Sequence, residues 1–209
     1  GLIVIYPQGT LLPATGQTHW NVGGWTTSSS TDDVGFINSI INFLNNEYSI
    51  DSKRIYSTGM SNGGYMSYKL ACDLSPRIAA IVSVTGSMTN ETIDSCNPTH
   101  PISVAQIHGL QDTVVNYFGN SFSRPIEEVM DYWVNNNNCS LEPDTFEISG
   151  NNGGGIHDVY LDCDNQTNVE LYLMTNMGHS WPNLNNHDLQ ASTTVWNFLS
   201  KYDIDGLIE

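Results

Sequence analysis

Apolar strand-like runs alternate along this chain with stretches of helical spacing, and that alternation predicts an α/β fold with a doubly wound, mainly parallel sheet. Three observations carry the expectation. Residues 2–6, 78–84, 102–107 and 169–174 are nearly continuous apolar runs, the pattern of strands buried on both faces. Between them, apolar residues recur at three- and four-residue intervals, as in Val34, Ile37, Ile41 and Leu44. Finally, Gly59-Met60-Ser61-Asn62-Gly63 separates a β-rich lead-in from a helix-compatible stretch. The 209 residues fit one domain, 1–209, with a sizeable core, and show neither internal repeat nor linker.

In chain order, residues 2–6 read as the opening strand. Residues 7–30, rich in Gly, Thr and Ser, carry Trp20 and Trp25 and are too long for an ordinary connection, which favours a functional loop. Residues 30–33 offer a capping signal, and the helix through Ile40 and Leu44 ends within 45–52. Strand 54–58 enters the Gly59–Gly63 motif and a helix leaves it. Strand 78–84 closes at Thr85-Gly86, 87–100 read as polar loop, and strand 102–107 runs into His108-Gly109-Leu110-Gln111-Asp112. Pro125 opens a helix whose buried stripe is Ile126, Val129, Met130 and Trp133. Residues 142–164 alternate weakly around Asn151-Asn152-Gly153-Gly154-Gly155, as in a β-hairpin excursion. Strand 169–174 leads to Met177-Gly178-His179, and Asp188 caps a last helix carrying Val195, Trp196 and Leu199.

The strand–G-x-S-x-G–helix context reads as a nucleophile elbow. Side chains two residues before and after Ser61 would collide with neighbouring backbone, and glycine has none. The helix that follows aims its amino end at the reaction centre, where negative charge develops. The bland alternative is a serine that merely caps the helix. A serine nucleophile needs a base, and the base an orienting acid, just past the carboxyl ends of strands. Asp112 and His179 stand there, and the order Ser61, Asp112, His179 is that of α/β-hydrolases. Asp112 alone would be an ordinary turn aspartate. His108 is the rival base, but its place before Asp112 suits shaping the acid's loop. His19, His100, His157 and His187 read by default as loop residues. Asn62 N–H supplies one oxyanion donor. The other belongs to a loop after an earlier strand, which is expected upstream of Gly1.

Twenty-two acidic and 6 basic residues give −16, which argues against nucleic acid or an anionic membrane as partner. No apolar run is long enough to span a membrane. The cysteines at 72, 96, 139 and 163 form no C-x-x-C, so a zinc or redox motif is not indicated. Their even number suits two disulfides and an oxidising compartment, the alternative being four buried thiols. Asp162, Asp164 and Asn168 fit no calcium-loop spacing and read as a solvated turn. The chain opens within an apolar run without initiator Met, as a piece of a longer precursor does.

The stretches Ile5-Tyr6-Pro7-Gln8-Gly9, Trp20-Asn21, Asp32-Asp33-Val34-Gly35-Phe36, Ile55-Tyr56-Ser57-Thr58-Gly59-Met60-Ser61-Asn62-Gly63-Gly64, Leu70-Ala71-Cys72, Gln106-Ile107-His108-Gly109 with Asp112, and Gly178-His179-Ser180-Trp181-Pro182 cover nearly the whole chain. On them the chain resembles the secreted polyhydroxybutyrate-depolymerase and feruloyl-esterase-like family of α/β-hydrolases. The resemblance implies an ester-hydrolysing triad of Ser61, Asp112 and His179. It also implies disulfides pairing Cys72 with Cys96 and Cys139 with Cys163. Two departures stand out: Asn116 precedes Tyr117 where the family usually shows Pro, and the amino-terminal strands with the oxyanion loop are absent. The expected function is a secreted or periplasmic serine carboxylic-ester hydrolase acting through an acyl-enzyme, without cofactor or metal. Its substrates would be feruloyl-type, acetyl-type or polyhydroxyalkanoate esters. Trp20 and Trp181 would line the substrate or pack in the core. A serine peptidase of the same fold and a non-catalytic binding module are the alternatives.

Overall fold

The structure, a computed structural model, describes residues 1–208. A small antiparallel pair, β1 (Thr10–Leu11) and β2 (Thr18–His19), opens the ordered elements. Helix α1 (Asp33–Glu47) follows, capped by Asp32, whose side chain accepts the Gly35 N–H at 2.8 Å. Then come β3 (Tyr56–Met60), α2 (Asn62–Asp73), β4 (Ala80–Val84), α3 (Asn90–Ser95), β5 (Ser103–Gly109) and α4 (Ile126–Asn136). The hairpin β6 (Asp144–Ile148) and β7 (Gly155–Tyr160) precedes β8 (Val169–Met174) and α5 (Ala191–Leu199). A short pair, β9 (Tyr202–Asp203) and β10 (Gly206–Leu207), closes the chain.

The main sheet has the order β3-β4-β5-β8-β7-β6. Its first four strands are parallel; the hairpin adds two antiparallel strands at the far edge. Strand alternation splits the core between the two faces. Ile81, Val104, Val169 and Leu171 pack with Tyr68 of α2 and with Val129 and Trp133 of α4. Val82, Ala105, Ile107 and Met174 pack with Val195 and Phe198 of α5. Burying both faces is what turns β4 and β5 into near-continuous apolar runs. A disulfide Cys72–Cys96 ties α2 to the end of α3, and Cys139–Cys163 ties the chain after α4 to the β7–β8 connection. No helix among the described residues is long and apolar enough to cross a membrane.

Several local expectations are corrected. Residues 2–6 are not a strand: they pair with nothing among the described residues, and Tyr6 is 91% exposed. An apolar run becomes a buried strand only where neighbours cover it, and here β3 is itself the edge of the sheet. The stretch 87–100 is not all loop. Thr89 accepts the Thr92 N–H and starts the six-residue α3, too short to show periodicity, beside the buried Met88. Asp188 does not cap the last helix. Gln190 is its N-cap without a side-chain bond, and the Asp188 carboxylate faces residues 151–154 instead. His157 lies in β7 rather than in a loop, stacked on Tyr172 at 3.9 Å. His19 likewise is a buried residue of β2, with Nδ1 2.9 Å from Thr10 O.

Candidate active site

Ser61 sits between β3 and α2 at φ 54°, ψ −123°, a left-handed conformation that costs a non-glycine residue about 1–3 kcal/mol. The surroundings hold it there. Its N–H continues the sheet ladder to Val84 O at 2.9 Å, and its carbonyl accepts from Gly64 and Tyr65 N–H at 2.8 and 3.1 Å. A Cβ on Gly59 would stand 2.6 Å from the Gly63 carbonyl carbon, so glycine is obligatory there. The expected collision at Gly63 itself is not found, because a Cβ there meets nothing within 4 Å. The second tight position is Gly64, packed against Ser83 and Gly86. Helix geometry leaves the Asn62 N–H, at the first residue of α2, without an intrahelical acceptor.

Asp112 follows β5 and His179 follows β8, so both lie beyond the same ends of the parallel strands as Ser61. Asp112 is 2% exposed. Its Oδ1 accepts the N–H groups of Val114 and Val115 at 2.9 and 2.8 Å, and its Oδ2 lies 2.8 Å from His179 Nδ1. A carboxylate held this way fixes the tautomer with hydrogen on Nδ1 and leaves Nε2 free as a base. Ser61 Oγ makes no hydrogen bond among the described residues.

His108 is fully buried, with both ring nitrogens engaged. Nε2 lies 2.9 Å from Val115 O, so it carries the hydrogen and donates. Nδ1 accepts from Gln106 Nε2 at 2.8 Å. Gln106 in turn donates to Gly86 O and accepts from Tyr68 Oη, both within 2.9 Å. Burial pushes the His108 imidazole below its ordinary range, against the opposing pull of Val115 O and Asp112. The network braces the Asp112 loop and gives His108 no free nitrogen for proton transfer. Only the polar Gln106 inside an apolar strand could have signalled it.

Asn62 and Trp20 meet directly. Trp20 N–H donates to Asn62 Oδ1 at 2.6 Å, and Asn62 Nδ2 donates to Trp20 O at 3.1 Å. The next residue, Asn21, donates its N–H to the buried Asp33 carboxylate at 2.6 Å, so this part of the long loop is pinned between the elbow and α1. Trp20 packs half-buried against the α2 side of the core. Trp181 packs against the α5 side and donates Nε1–H to Ser192 Oγ at 3.2 Å.

A serine elbow followed in sequence by an acid and a histidine, on a mainly parallel sheet flanked by helices, is the plan of an α/β-hydrolase. Residues 20–143 match the phospholipase/carboxylesterase family, and the chain belongs to it. It is 31% identical over 191 residues to feruloyl esterase B of Piromyces equi, covering 86% of this chain and 34% of that protein. It is 26% identical over 208 residues to the bifunctional acetylxylan esterase/xylanase of Neocallimastix patriciarum, covering 99% of this chain and 27% of that protein. The chain thus spans about a third or less of the length of either relative. The fold superimposes on the acetyl xylan esterase from Aspergillus awamori with TM-score 0.59 at 15% identity, covering 90% of this chain and 74% of that one.

Proposed function

We propose that this chain hydrolyses carboxylic esters through a Ser61–His179–Asp112 triad. The observation that carries the reading is the 2.8 Å pair between buried Asp112 and His179, beyond the same sheet edge as a serine held in a strained elbow. Ser61 Oγ attacks the ester carbonyl carbon while His179 Nε2 takes its proton. The carbonyl π electrons move to oxygen, and the Asn62 N–H steadies that oxyanion. The tetrahedral adduct collapses, the C–O bond to the alcohol breaks, and His179 protonates the leaving alcohol. Water, deprotonated by His179, then attacks the acyl carbon; the bond from that carbon to Ser61 Oγ breaks, the acid leaves, and His179 returns its proton to Oγ. Asp112 stabilises the imidazolium throughout and stays ionised.

The names of the relatives support feruloyl- or acetyl-type esters as substrates. Trp20, bonded to Asn62, and Trp181, two residues beyond His179, would wall the acyl site. The two disulfides support an oxidising, extracellular compartment. The strong negative charge speaks against nucleic acid or anionic membrane as a partner. A panel of feruloyl, acetyl and polyhydroxyalkanoate esters beside matched amides tests the substrate class. Turnover of aromatic or acetyl esters, lost by about 10⁶ in Ser61→Ala, is the expected result. Preference for the amides would favour a peptidase of the same fold.

A further inference from the structure

Residues 175–190, which carry His179, contain no helix or strand, so their position depends on individual contacts. At the start, Gln111 N–H donates to Met177 O and Thr175 N–H donates to Gly154 O, each at 3.0 Å. At the far end the Asp188 carboxylate collects the tip of the β6–β7 hairpin. Oδ1 accepts the Asn151 N–H and Asn152 Nδ2, both at 3.1 Å; Oδ2 accepts the Asn152 and Gly154 N–H at 2.7 and 3.1 Å. The tip therefore touches both ends of the His179 loop and closes its base. It is shaped for that contact: a Cβ on Gly150 would overlap the Asp188 carboxylate, and one on Gly153 would overlap the Asn176 amide. Asp188 stands at φ 59°, a conformation Asp tolerates better than most residues and which these bonds hold. Desolvation works against its charge, but the backbone N–H groups of Asn152, Gly154 and Asn151 outweigh that and keep the carboxyl below its ordinary range. The preceding residue, His187, places Nε2 2.9 Å from the hydroxyl of Ser180, and Ser180 directly follows His179. No step of ester hydrolysis uses Asp188, His187 or Ser180.

We propose that Asp188 is a positioning residue for His179, acting through the hairpin tip and through His187 and Ser180. The inference rests on reading His179 as the base. It makes the β6–β7 turn, on the antiparallel side of the sheet, part of what sets the catalytic geometry.

The test compares Asp188→Ala, Asp188→Asn and Gly150→Ala with the parent in the full chain. The readouts are kcat and KM for a short p-nitrophenyl ester, Tm, and the downfield proton resonance of the hydrogen shared by His179 Nδ1 and Asp112. Asp188→Ala and Gly150→Ala should lower kcat by about 10² at unchanged KM, since small misplacement from a distance costs that much. Both should shift or broaden the shared-proton resonance. Asp188→Asn, which keeps one acceptor oxygen, should fall between, and it carries the test if the alanine variants do not fold. Unchanged kcat and resonance would overturn the proposal. So would a loss of rate that only follows the folded fraction while the resonance stays as in the parent. The resonance reads His179 whether or not it is the base. A failure of the triad reading shows separately, as full activity in Ser61→Ala.

Discussion

Asn62 holds the backbone of Trp20 at both of its polar groups, accepting from the N–H at 2.6 Å and donating to the carbonyl at 3.1 Å. One residue thereby links two parts of the site. Its backbone stands next to Ser61, the proposed nucleophile, and its side chain fixes the loop residue proposed to face the acyl group. Asn21, bonded to Asp33 one residue further on, extends the grip to α1.

Replacing Asn62 by alanine should therefore act on recognition more than on chemistry. The backbone N–H stays, while the Trp20 segment loses two hydrogen bonds worth about 1 kcal/mol each. We expect KM for an aromatic ester to rise roughly tenfold and KM for a simple acetyl ester to change little. Steady-state kinetics on the two substrates checks this. Equal effects on both would separate Asn62 from the acyl wall.

Asp112→Asn should preserve the fold, because an amide oxygen can still accept from Val114 and Val115. The amide nitrogen would then face His179 Nδ1 and impose the wrong tautomer. A fall in kcat of about 10⁴ is expected. Asp94→Asn and Asp158→Asn serve as controls, and a large loss in either of them with Asp112→Asn active would move the acid elsewhere.

Acid lability should trace in part to Glu170. This carboxylate is 2% exposed and lies 2.8 Å from both His157 Nε2 and Tyr172 Oη. Desolvation opposes its charge, but the His157 and Tyr172 hydrogen bonds, with Lys201 nearby, outweigh it and hold the carboxyl below the ordinary range. A depressed folded value means the unfolded chain takes up the proton first. The stabilisation is whole above the unfolded value, about 4.3 for Glu, and is lost as pH falls through the folded one. Tm measured against pH should therefore drop below about pH 4, and more steeply in the parent than in Glu170→Gln. Parallel curves for the two would remove Glu170 from the acid response.

The long elements were legible in the sequence because their patterns are local. β4, β5 and β8 announced themselves as apolar runs, α4 by Pro125 and its four-residue stripe, and the elbow by its G-x-S-x-G pattern, in which only Gly59 proves to be sterically required. The placing of Asp112 and His179 beyond strands of one sheet followed from the same pattern. What stayed hidden depends on partners distant in sequence. The Asn62–Trp20 grip spans 42 residues and the Asp188 contacts 34 to 37, and neither has a local signature. Residues 2–6 misled in the opposite sense, since their composition asks for burial that no described neighbour provides. Gln106 was visible as a polar residue in a buried strand, but its link to His108 becomes clear only when Tyr68 and Gly86 are seen around it.

Covalent labelling of Ser61 tests the central claim most directly. A fluorophosphonate reacts with a serine only when a base has activated it and an oxyanion site receives the developing charge. Peptide mapping of the labelled full chain should place one adduct on Ser61. It should disappear in His179→Ala and fall sharply in Asp112→Asn, with the fold intact in both. An unlabelled Ser61, or labelling that persists unchanged without His179, would contradict the account.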